Sequence, residues 1–235
     1  MRKLAGITAS ILVAAALAPG LASAQSPGGA AHSGVPSAAE CAPKKLVHIV
    51  VREVTPGIDP ASFGAKPRDL YRLGNDKLRS EEVDDPEHHI HQTNVISEPD
   101  LWIANLDDGT GIHAVDPGPT FNVLSPVIIG EGVSPRLARL EFGCEADFIK
   151  ANALKPVRVE QVEGAPYDVY RLGSDGDAVE ILKKRNATTP AFTRYIHAGD
   201  LVLVWRYELY DLSSKADASL FKPPAGVNYQ EQTIQ

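Results

Sequence analysis

Short runs rich in β-branched and aromatic residues, each closed by a tight-turn signal, recur along this chain and restrict it to an antiparallel β-fold. The first, 45–54 (KLVHIVVREV), is nearly continuously apolar, as a buried strand should be. Residues 57–67 are rich in Gly and Pro and read as a loop. Runs at 70–73 and 77–82 flank Gly74-Asn75-Asp76 and predict a hairpin. A strand at 90–97 turns at Glu98-Pro99-Asp100, and a second hairpin spans 101–106 and 110–116 around Asp107-Asp108-Gly109. Further runs follow at 157–162, 178–183, 191–197 and 201–212. In the last, Leu201, Leu203, Trp205, Tyr207 and Leu209 alternate with Val202, Val204, Arg206, Glu208 and Tyr210. Burying Arg206 and Glu208 would cost several kcal/mol, so the odd-numbered face is expected to turn inward. Short turns join antiparallel neighbours, so the expected fold is mainly β: an antiparallel meander of about ten strands curled into an open half-barrel.

One helix interrupts the strands. Ser134 is a good N-cap and Pro135 suits the first helical position. Leu137, Leu140, Cys144 and Phe148 then recur at three- and four-residue steps, which predicts a helix over 134–152 covering the sheet. On either side of it the chain echoes itself. Asp69-Leu70-Tyr71-Arg72-Leu73-Gly74-Asn75-Asp76 matches Asp168-Val169-Tyr170-Arg171-Leu172-Gly173-Ser174-Asp175 at six of eight positions, 99 residues later. That is read as a weak internal repeat within a single β domain over 45–235.

The N-terminus reads as an export signal. Arg2 and Lys3 precede an uncharged apolar run at 7–17, then Pro19-Gly20 and Ala22-Ser23-Ala24, a small-x-small cleavage pattern. The run is too short for a membrane span, which needs about 20 apolar residues. Residues 1–24 are therefore expected to be removed and the protein to work in the periplasm or outside the cell, with no stable membrane span afterwards. Residues 25–44 are rich in Ser, Gly, Ala and Pro and read as a flexible tether.

The formal net charge is −7, and loss of the two basic residues of the signal makes it −9. Such a surface argues against a nucleic-acid partner. It does not oppose binding a lipid by its tails. Cys41 and Cys144 are the two cysteines. In an oxidising compartment they are most simply a disulfide, pinning the N-terminal end of the domain to the helix.

The signal, the hairpin carrying Tyr71, Arg72 and Gly74 and leading to Arg79 and Glu81, the strand segment Leu101-Trp102-Ile103, and the ending Ser219-Leu220-Phe221-Lys222-Pro223-Pro224-Ala225-Gly226 together resemble the periplasmic lipoprotein-carrier (LolA-like) superfamily and its relatives among anti-sigma-factor regulators. The resemblance spans 45–229. It implies an unclosed barrel with helices over its concave face and a hydrophobic cavity for an acyl chain, a lipid or a lipidated protein. The amphipathic helix such proteins place before their first strand is not evident here. On this reading the chain is a non-enzymatic envelope binding protein without a cofactor, with Leu203, Trp205, Tyr207 and Trp102 lining the ligand cavity.

Two alternatives stand beside it. In Glu87-His88-His89-Ile90-His91, alternation along a strand would set His89 and His91 on one side as metal ligands, giving a metal-binding protein or a metal-dependent enzyme. A structural envelope protein with a filled core is the other. Nucleophilic catalysis has no support, since there is no G-x-S-x-G and the cysteines are expected to be paired.

Overall fold

The computed structural model describes residues 41–82, 85–115, 136–174, 176–215 and 217–233. The expected signal at 1–24, all but the last residues of the tether, and the cap residues Ser134 and Pro135 lie outside them. Six strands come first: β1 (Val47–Glu53), β2 (Arg68–Leu73), β3 (Lys77–Glu82), β4 (Gln92–Ser97), β5 (Asp100–Asn105) and β6 (Thr110–Val115). Helix α1 (Glu145–Ala151) follows. Then come β7 (Pro156–Val162), β8 (Ala165–Gly173), β9 (Asp177–Lys184), β10 (Phe192–His197), β11 (Asp200–Asp211) and β12 (Asn228–Thr233).

All twelve strands form one sheet in the order β12-β6-β5-β4-β3-β2-β1-β11-β10-β9-β8-β7. It does not close on itself, so the fold is an open half-barrel with β12 and β7 at its edges. Two antiparallel meanders, β1–β6 and β7–β11, are joined where β1 pairs antiparallel with β11. β12 adds to the far edge of the first, parallel to β6. The first echoing segment occupies β2 with its turn, and the second, as far as Ser174, occupies β8 and the start of its turn. Leu73 pairs with Lys77 in the first hairpin, and Gly173 with Ala178 in the second.

The alternation of each strand sorts the sheet into two faces. On the inner face, Val47, Ile49, Val51, Leu70, Leu78, Ile96, Trp205 and Tyr207 close around Phe142. Beside them Val179 and Ile181 pack under Leu137, Leu140 and Phe148. The odd-numbered face of β11 thus turns inward at Leu203, Trp205 and Tyr207, whereas Leu201 and Leu209, expected on the same face, are exposed because register shifts interrupt the strand's pairing on either side. Burying each large apolar side chain there contributes roughly 1.5–3 kcal/mol. On the outer face Tyr167, Val169, Leu182, Phe192 and Val204 make a smaller cluster.

The covering segment differs from the long helix that its spacing predicts. Residues Leu137–Arg139 form a 3-10 turn, the chain extends at Leu140, and α1 begins only at Glu145. Gly143 holds φ at 91°, the left-handed region, which ends any helix running through it. The stripe is nevertheless real, because Leu137, Leu140 and Phe148 share one buried cluster. Cys144 lies at the N-cap of α1 rather than in mid-helix, and there it is bonded to Cys41, with the two Cα atoms 5.7 Å apart.

Candidate functional site

At the β12 end of the inner face the sheet carries a cleft of about 270 Å³. Its walls are Gln92 of β4, Ile103, Ala104 and Asn105 of β5, Thr110, Gly111 and Ile112 of β6, and Gln230 of β12. Register explains the grouping. Gln92 pairs with Asn105 and Asn105 with Thr110, while Ile103 pairs with Ile112 and Ile112 with Gln230. These positions continue the face on which Leu101 packs against the main core. The cleft is thus an extension of the core face, apolar at Ile103 and Ile112 and rimmed by the side-chain amides of Gln92, Asn105 and Gln230. Ile112 is 38% exposed. Gly111 is required where it stands, since a Cβ there would sit 2.8 Å from the Ile103 carbonyl oxygen and from the Tyr229 ring.

A buried polar assembly fastens the covering segment to the sheet. The Glu145 carboxylate, fully buried, accepts from the Tyr207 hydroxyl at 2.6 Å, the Tyr210 hydroxyl at 2.7 Å and the Gly143 amide at 3.1 Å. Strict alternation along β11 would set Tyr210 on the face opposite Tyr207. A bulge shifts the β1–β11 register between Val50 and Val51, so Tyr210 pairs with Ile49 and joins Tyr207 at the carboxylate. Burial pushes the Glu145 carboxyl above its ordinary range, against the pull of both tyrosines. Burial and the nearby carboxylate likewise push the Tyr210 phenol up. Beside this group Arg72 has no exposed surface. It donates to the Cys41 carbonyl at 2.9 Å and the Phe142 carbonyl at 3.2 Å, and pairs with Glu141 at 2.9 Å.

The raised Glu145 pKa fixes the sign of a pH effect. In the unfolded chain the group titrates near 4.5, and in the fold it holds its proton to higher pH. Its contribution to stability is full below the unfolded value and is lost as pH rises through the folded one. The stability of Glu145→Gln relative to the parent should therefore climb as pH rises from about 4.5 through the folded value, and level off above it. Urea unfolding of both proteins across a pH series measures the difference, and a flat difference would contradict the assignment.

The histidines that sequence alternation groups do not converge. Strand β4 starts at Gln92, and His89 lies in the preceding turn with φ at 53°. Its Nδ1 meets Asp107 at 3.0 Å, while His91 Nε2 meets Glu81 at 3.1 Å. His88 pairs with Asp85 at 3.1 Å. The expectation that His89 and His91 share a strand face is corrected by that turn. No group of three or more His, Cys, Asp or Glu side chains with metal-binding geometry occurs among the described residues.

The four residues expected to line one cavity are divided between the faces. Trp205 and Tyr207 are buried, each edge-to-face with Phe142 at 6.1 Å, and Leu203 packs at the margin of the same cluster. Trp102 is on the outer face. It pairs with Val95 and His113, one residue out of phase with Leu101, and stacks on His113 at 5.2 Å. The cleft residues Gln92, Ile103, Thr110, Ile112 and Gln230 carry no sequence signal that singles them out. The parity of Leu101 and Ile103 could have put them on one face, but nothing announces the parallel pairing of β12.

Among the described residues no helix is long and apolar enough to cross a membrane. No family model matches the chain, and no curated protein matches it. Among solved structures it is similar to an uncharacterized conserved protein from Thermus thermophilus, with 11% identity and a TM-score of 0.46 over 80% of this chain and 91% of that one. It is similar also to a chain of the Pseudomonas aeruginosa MucA/MucB complex, with 12% identity and a TM-score of 0.43 over 79% of this chain and 58% of that one. A LolA superfamily protein from Nitrosomonas europaea is similar at 14% identity and a TM-score of 0.33, over 76% of this chain and 90% of that one.

Proposed function

We propose that this chain is a binding protein of the cell envelope that takes one apolar chain, an acyl group carried by a lipid or a lipidated partner, into the cleft between β4, β5, β6 and β12. The observation that supports it is the cleft itself. Ile103 and Ile112 extend the inner apolar face beyond its packed core, and Gln92, Asn105 and Gln230 stand at the rim, where an ester or amide linkage needs donors. Its volume, about 270 Å³, lies just under the usual range for small-molecule pockets and suits a single chain rather than a whole lipid. Trp205 and Tyr207 belong instead to the packed core of the same face, with β1, β2 and β3 between their strand and the cleft. The Cys41–Cys144 bond fits an oxidising compartment.

A fluorescent fatty-acid analogue tests the reading. It should bind the parent protein saturably. Ile112→Glu puts a charge in the cleft at a partly exposed position, so the fold should survive while affinity falls by about tenfold or more. Equal binding by a folded Ile112→Glu variant, or no binding by the parent, would contradict the proposal.

A further inference from the structure

Among the described residues strand β7 has one neighbour, β8, and forms an edge of the sheet. Most of it is exposed, including Val157 at 58% and Val159 at 50%. An edge of this length with apolar side chains is a ready template for another strand. The β7–β8 hairpin shows which backbone groups are free to pair. Its two-residue turn, Glu163-Gly164, has φ of 49° and 79°, and Val162 pairs with Ala165 across it. Such a turn closes on a pair that exchanges both hydrogen bonds, so the alternate residues Gln161 and Val159 direct their N–H and C=O groups to the open side. Pro166, which has no N–H to give, stands opposite Gln161.

The charges along this edge invert in sign about its middle. Within the strand Arg158 immediately precedes Val159 and Glu160 immediately follows it. We infer that β7 is a self-complementary interface, at which two copies of this chain pair antiparallel about a twofold axis through Val159. In that register Arg158 faces Glu160 of the second copy and Val159 meets its own copy, while a register shift at Val157 and the turn at Glu163 limit the regular pairing to the stretch between them. Moving the centre by one residue sets Arg158 against Arg158 or Glu160 against Glu160, and like charges directly opposite are destabilising. The acidic chain repels its copies elsewhere, which leaves this edge as the place where opposite charges meet. Arg158 and Glu160 are already held in place, by Glu180 at 2.7 Å and Arg194 at 2.8 Å. A twofold pairing of this kind uses the β7 edge of both copies and so stops at the dimer along that edge, with β12 as the outer edge of each copy.

Sedimentation velocity of the purified chain, from low micromolar to sub-millimolar concentration, tests the inference. The parent should show a reversible monomer–dimer equilibrium. Val159→Lys should be monomeric throughout with an unchanged circular-dichroism spectrum. Under mild oxidation Val159→Cys should cross-link to itself across the axis, whereas Val157→Cys, two residues off the axis, should not. A parent that stays monomeric over the whole series, a dimer that survives Val159→Lys, or equal cross-linking by Val157→Cys would overturn the proposal.

Discussion

Replacing both Cys41 and Cys144 with alanine should cost about 4–5 kcal/mol of stability, seen as a large fall in the denaturation midpoint, with a steeper unfolding slope because the unlinked denatured chain is more expanded. The bond joins residues 103 apart, and closing so long a loop removes much of the freedom of the unfolded chain. It also does something local. It ties the segment before β1 to the N-cap of α1, beside the carboxylate that Tyr207 and Tyr210 hold. Titration of the unfolded, unreduced parent should find no free thiol. Two free thiols, or a double variant as stable as the parent, would contradict the account.

Arg72→Met should be nearly as damaging. The guanidinium has no exposed surface, and its partner Glu141 is 7% exposed. Removing the cation leaves a buried carboxylate without that partner and takes a donor from the Cys41 and Phe142 carbonyls. Breaking one side of such a pair costs about 3–5 kcal/mol. Arg72→Met with Glu141→Leu should recover part of the loss, because no charge is then stranded, while the two carbonyls still lack their donor. Guanidinium unfolding of the parent, the single and the double variant measures this. A double variant less stable than the single one would show that the ion pair is not the source of the cost.

Arg72 also shows what a sequence can and cannot disclose. The hairpins are legible because their turn residues are local. Gly74 and Gly109 adopt positive φ where the turn signals stand. The inward face of β11 is legible too, since Arg206 and Glu208 mark its opposite side. What fails depends on relations between strands. Trp102 and Trp205 group together as aromatics, yet only register decides that Leu101, not Trp102, shares the core face. Tyr210 reaches the carboxylate through a bulge that no pattern in β11 reveals. A helix over 134–152 is too long because the stripe from Leu137 to Phe148 is compatible with one, while Gly143 and the tie between Arg72 and the Phe142 carbonyl break it. The candidate cleft is invisible for the same reason: Gln230 arrives by a parallel pairing with β6 from far along the chain.

The proposed seat of an apolar chain, on the face of β5 and β6 that carries Ile103 and Ile112, is open to direct measurement. A fatty acid carrying a diazirine near its methyl end, bound to the purified protein and photolysed, should label peptides spanning Ile103 and Ile112, and excess unlabelled fatty acid should suppress that labelling. Labelling confined to the strand bearing Leu203, Trp205 and Tyr207, or labelling that unlabelled fatty acid does not suppress, would contradict the cleft as the binding site.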